Sequence, residues 1–197
     1  MSKVVIAGDA SGTGTFTISA PNGNTDRTLV LPDEAGTIDT LQRAGNVLQV
    51  VSTTLTTGFS TSVNNSFNAV TGLTASITPS SATSQIMVLV TMTVGSDTNY
   101  LNAQLTKGGS GISGALATAD GSRSLGTASF WPVQAYGTYG LSFSYLDSPA
   151  TTSATTYGVQ IGNHSTATLC INRSQADDNS AARTRGTSTI TVMEIAA

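Results

Sequence analysis

In Leu141-Ser142-Phe143-Ser144-Tyr145 every second side chain is large and apolar, and those between are hydroxylated. A period of two puts one face on a core and the other in water, as in a half-buried β-strand. The same reading places strands at 47–57, 73–78, 85–94, 100–107, 139–146, 155–161, 167–173 and 188–195. In the last of these Ile190 and Val192 share a face, completed by either Glu194 or Ile195. No amphipathic helical pattern lies between them. About eight spaced strands joined by turn residues predict an all-β fold, an antiparallel jelly roll or β-sandwich.

Composition agrees. Ser and Thr make up more than a quarter of the 197 residues, Gly adds 20, and only 10% are charged, against roughly 25% in ordinary globular proteins. The branched Cβ of threonine suits a pleated sheet better than a helix. A net charge of −3, with scattered basic residues, excludes a phosphate-tracking surface, so no nucleic-acid partner is expected. The lone cysteine, Cys170, cannot form an internal disulfide and reads as an inert strand residue. Met1-Ser2-Lys3 precedes only four apolar residues, too few for a secretory leader, and no run is long enough for a membrane helix.

The first forty residues have a different texture. Short alternating bursts at 4–7, 15–19 and 28–31 are separated by turn clusters such as Pro21-Asn22-Gly23-Asn24. A unit of this size cannot bury a private core without a disulfide, a metal or a partner. It has neither a disulfide nor a ligand cluster, so it must fold against something else. A short connector at 41–45, long enough for one helical turn, leads to the strand-rich part. Two regions follow: an N-terminal segment, 1–44, and a β head, 45–197.

Catalytic and cofactor motifs are weak. Gly109-Ser-Gly111-Ile-Ser-Gly114 fits a dinucleotide fingerprint in spacing only, because no crossover helix can follow it, and no cofactor is expected. The one histidine, His164, reads as an exposed turn residue and lacks the partners of a triad. A metal held by three copies of His164 on a threefold axis is the other reading of it. Asp177 and Asp178 are adjacent, so an extended chain would point them apart; they make a poor acid–base pair, and a loop calcium site with Asn179 is the minor alternative. No metal ligand set is assigned, and the chain is not expected to be an enzyme. The stretch at 107–130, rich in Gly, Ser and Ala, reads as a functional surface loop or a poorly ordered one.

Phe130, Trp131, Tyr136 and Tyr139 crowd into one short segment. Aromatic rings on loops suit sugar faces and protein contacts. Equally, they cap sandwich cores. Both readings stay open, and the four residues are the candidate receptor contact.

The N-terminal segment has a Gly8-Asp9 turn ending at Gly12, a Thr-rich strand to Ile18, Ala20-Pro21, then Thr28 to Pro32 and Gly36-Thr37. It resembles a short module at the N-termini of tail-fibre and other structural proteins of marine and cyanobacterial phages. Later stretches, "SITPSSATSQIMVLVTMTV", "SYLDSPATTSATTYGVQIG" and "STITVMEIAA", are similar to such proteins too. The resemblance touches most of the chain outside 107–137. It implies a virion protein made in the host cytoplasm, with a trimeric jelly-roll head on an attachment module. In such a trimer Ile6, Phe16, Ile18, Leu29 and Leu31 would point inward between copies. The implied partners are further copies of the chain, tail or capsid proteins, and a host surface glycan.

A tail fibre or tail-associated adsorption protein is therefore the first expectation. A capsid decoration protein or head fibre of the same build is the second, and a free carbohydrate-binding module the third. A tailspike-type hydrolase is excluded, because the chain is short and has no β-helix repeat.

Overall fold

The computed structural model describes residues 11–15, 17, 22–23, 43–97, 99–134 and 137–197. The chain divides into two units, Met1–Ile38 and Asp39–Ala197. The strands expected at 4–7 and 28–31, and the side chains of Ile6, Phe16, Ile18, Leu29 and Leu31, lie outside the described residues. Of 15–19 only Thr15 and Thr17 are described, both exposed.

The second unit is an all-β sandwich. Its strands in chain order are β1 (Val47–Leu55), β2 (Phe59–Val63), β3 (Ser66–Ile77), β4 (Gln85–Ser96), β5 (Leu101–Lys107), β6 (Ser110–Gly111), β7 (Ala128–Phe130), β8 (Tyr139–Asp147), β9 (Thr155–Asn163), β10 (Ala167–Ile171) and β11 (Ser188–Ile195). One sheet runs β1-β11-β4-β10-β2, with β8 on the other edge of β4; the second runs β3-β9-β5, with β6 and β7 sharing the far edge of β5. Every ladder is antiparallel. Arg43 to Gly45 form a turn, not a helical one. Among the described residues no helix is long and apolar enough to cross a membrane.

The core lies between the sheets and follows the alternation. Ile86, Val88, Val90, Met92 and Val94 of β4 are buried, facing Leu101, Ala103 and Leu105 of β5 and Tyr157, Val159 and Ile161 of β9 across the sandwich. Leu141, Phe143 and Tyr145 pack on this core while Ser142 and Ser144 are exposed. Cys170 is fully buried in β10, and burial pushes its thiol pKa up.

Beyond the short β6 and β7, two longer stretches of strand were not expected. β2 was unforeseen, and β3 begins at Ser66 rather than 73. Gly72 sits at φ 85°, where the β3–β9 register slips between Ala69 and Thr74, so the alternation breaks mid-strand. The 107–130 stretch also carries more structure than a loop. Gly108 (φ 58°) and Gly109 (φ 83°) form the two-residue turn of the β5–β6 hairpin, a conformation that side chains resist. The glycine-rich fingerprint is thus partly a hairpin turn. Beyond it, Thr127 N–H donates to Ala103 O at 2.7 Å, and Gln104 Nε2 donates to Leu125 O at 2.6 Å. These bonds lay the 117–127 segment along β5.

Buried polar groups tie the sandwich at three places. Asp147, at the end of β8, accepts from Lys107 Nζ (2.8 Å) and from the hydroxyl of buried Tyr157 (2.7 Å), joining the two sheets. Burial, then the hydrogen bond and charge of Asp147, raise the Tyr157 pKa. Fully buried Glu194 accepts from Gln49 Nε2 at 2.5 Å and from both the N–H and the hydroxyl of Ser80 at 2.7 Å. Asn172, at φ 63° and fully buried, fills the corner where the edge of β4 passes from β11 to β10.

Candidate functional site

Antiparallel register places three aromatic residues together. β5 pairs with β7 through Leu101↔Phe130, and with β9 through Asn102↔Gly162. Carried past the ends of those ladders, the same registers set Tyr100 opposite Trp131 on one side and His164 on the other. The rings meet accordingly. Tyr100 and Trp131 have centroids 5.6 Å apart, tilted by 35°, and Tyr100 stacks on His164 at 5.1 Å and 18°. Tyr100 is half-buried, whereas His164 is exposed and Trp131 is 68% exposed.

The turn that carries His164 is held by side chains. Buried Asn163 donates through Nδ2 to Tyr100 O, and its Oδ1 accepts from Ser165 N (3.0 Å) and Ser165 Oγ (3.1 Å). Asp97 accepts from Thr168 N at 2.9 Å and from Asn99 Nδ2 at 3.3 Å. The stacked pair is therefore fixed before any ligand arrives, which lowers the ordering cost of binding.

Two residues along β5, on the face of Tyr100, lies Asn102. It is 6% exposed, and its Nδ2 has no hydrogen-bond partner among the described residues. An unpaired buried donor costs about 1–3 kcal/mol, so native structures hold few. Gly162 stands opposite it in the ladder. A Cβ there would lie 2.5 Å from Ser66 O and 2.6 Å from the Phe67 ring, so β3 approaches as closely as it does only because this residue is glycine. Tyr100, Asn102 and His164, with Ser122, Arg123 and Ser124 of the 117–127 segment, line an open cleft of about 290 Å³. Small-ligand pockets start at roughly 300 Å³, so the space suits one or two small rings. At the rim Arg123 Nη1 pairs with Asp120 Oδ2 at 2.5 Å, both side chains about three-quarters exposed.

The four aromatic candidates separate. Phe130 and Tyr139 pair at 4.6 Å, half-buried against the core, while Trp131 joins Tyr100. Tyr136 lies outside the described residues. Sequence reasoning did not include Tyr100, Asn102 or Arg123, and took His164 as a turn residue, where it does lie.

A second, smaller cleft of about 200 Å³ lies in the 174–185 loop. Asp177 pairs with Arg173 (3.2 Å) and Arg185 (2.7 Å), and Asp178 pairs with Arg183 (2.5 Å). A cation here would compete with guanidinium groups for both carboxylates. Among the described residues no three His, Cys, Asp or Glu side chains converge as metal ligands.

No family model matches the chain, and no curated protein matches it.

Proposed function

We propose that the chain is a non-enzymatic virion protein, a tail fibre or tail-associated adsorption protein. Residues 1–44 attach it, and the β head meets the host surface. The observation that carries the contact role is the exposed Trp131 ring set against Tyr100, which stacks in turn on His164 beside an open cleft. The virion setting rests on the resemblance of the N-terminal segment and of the three later stretches. Capsid decoration or a head fibre is the second reading. A free carbohydrate-binding module is the third, favoured by the same cleft.

Trimerisation belongs to the proposal. Supporting it is the outer face of the larger sheet, where Leu146, Met87, Met193 and Val50 form one row across β8, β4, β11 and β1. The rows beside it are Ser144, Leu89, Thr191 and Ser52, then Ser142, Thr91, Thr189 and Thr54, with no charge among them. Such a face meets another copy without repulsion. If it is the contact between copies, Met193→Lys buries an unpaired charge there. Association should weaken by about 3 kcal/mol, roughly a hundredfold. Light scattering of the full chain checks this: a trimer mass that falls on dilution for the variant fits, and an unchanged mass at all concentrations removes this face from the contact.

Quantitative mass spectrometry of purified particles whose genome encodes the chain tests the virion reading. Small multiples of three per particle support a tail position, hundreds support the capsid, and absence from the particle defeats both.

A further inference from the structure

We propose that the cleft lined by Tyr100, Asn102 and His164 binds a neutral saccharide of the surface the head contacts. This deepens the contact role and rests on it. The aromatic row supplies apolar faces for the C–H face of a sugar ring, and Trp131 is 68% exposed. Asn102 lines the cleft, and its buried Nδ2 has no partner among the described residues, so a small turn of this amide toward the cleft offers the donor to a ligand oxygen. Ser122 and Ser124 bring hydroxyl groups that both donate and accept. Arg123 and Asp120, paired at the rim, offer donors and acceptors to neighbouring hydroxyls.

Charge decides the class. Among the described residues Arg123 is the one Lys or Arg side chain lining the cleft, and Asp120 already neutralises it. An acidic sugar would have to break that pair; a neutral one uses both halves of it. The other polar groups of the lining are an amide, hydroxyls and the His164 imidazole, all of which hydrogen-bond the vicinal hydroxyls of a hexose. The volume, about 290 Å³, limits direct contact to one or two residues of a longer glycan.

The chain holds a single tryptophan, and its ring lies against Tyr100 of the cleft, so its emission reports on binding there. The experiment titrates the full chain with three neutral probes (lactose, maltotriose and mannotriose) and one acidic probe, sialyllactose. The expected result is a saturable change in Trp131 emission with at least one neutral probe and a weaker one with sialyllactose. Asn102→Ala should weaken that response about tenfold without lowering the thermal midpoint, because it deletes an unpaired buried group. His164→Ala, an exposed change, should weaken it as well. No response to any neutral probe overturns the proposal. So does a response to sialyllactose alone, or one that survives both substitutions. Particle composition reads out separately: the chain present in virions without a saccharide response defeats the glycan site and leaves the virion reading. A saccharide response from a chain absent from particles does the reverse.

Discussion

Asn172→Ala is expected to lower the unfolding free energy by about 4 kcal/mol, with a fall in midpoint of roughly 10 °C. The Asn172 side chain donates to Leu55 O at 2.7 Å and Thr57 O at 3.0 Å, and accepts from Ser188 Oγ at 2.6 Å. Its own N–H donates to Thr93 O at 2.8 Å, and its carbonyl accepts from Gly186 N at 3.2 Å. Ser188 Oγ in turn accepts from Thr93 N at 3.1 Å. One residue thus closes the ends of β1, β4, β10 and β11 where the partner of β4 changes. Alanine keeps the backbone bonds but orphans two carbonyls and a hydroxyl, at about 1 kcal/mol or more each. It also meets a left-handed φ of 63° that asparagine tolerates better. Equilibrium urea unfolding measures the change; a loss under about 1 kcal/mol would mean that water replaces the amide at this corner.

Glu194→Gln is expected to cost about 2–3 kcal/mol at pH 7 and progressively less as the pH falls. Burial alone would raise the carboxyl pKa. Hydrogen bonds from the Gln49 amide, the Ser80 hydroxyl, the nearby Ser84 hydroxyl in looser geometry, and the Ser80 N–H outweigh it, bringing the pKa from 4.5 to about 2. Because folding lowers this pKa, the charged form stabilises the fold, and the full contribution is present above about pH 4.5. Below that the unfolded chain takes up the proton first. The contribution shrinks until about pH 2, where the folded carboxyl is protonated too. A drop of that size corresponds to about 3 kcal/mol. The unfolding curves of the wild type and of the Glu194→Gln variant should therefore converge between pH 4.5 and about 2. A gap that stays constant over that range would show that the loss comes from shape and not from charge.

Most of the sandwich was legible in the sequence because its strands alternate. β4 and β8 are the clearest cases: each β8 side chain faces the way its β4 partner does, and both strands show a period of two. β2 escaped because Phe59-Ser-Thr-Ser-Val63 holds two apolar residues at its ends and polar ones between. β6 and β7, of two and three residues, are too short to show any period. Glu194 illustrates a different limit. The spacing from Ile190 and Val192 pointed it inward, yet its apolar neighbour Ile195 stayed an open alternative. What decides between them are Gln49 and Ser80, 145 and 114 residues away in sequence.

The candidate site was half legible for the same reason. Trp131 stood out as the single tryptophan on a loop, next to Phe130 and Tyr139 in sequence. Its ring partner proves to be Tyr100, which sequence proximity cannot suggest and only the β5–β7 register brings near. His164 joins through the β5–β9 register, and Asn102 becomes notable only once the 117–127 segment lies along its strand.

The most direct test is cryo-electron microscopy of the intact particle whose genome encodes this chain. The expected map shows trimeric density on the tail, residues 1–44 seated in the virion and the Trp131 end of each head turned outward. A particle without this density, or heads whose Trp131 end is buried against the virion, would contradict a host-contact role.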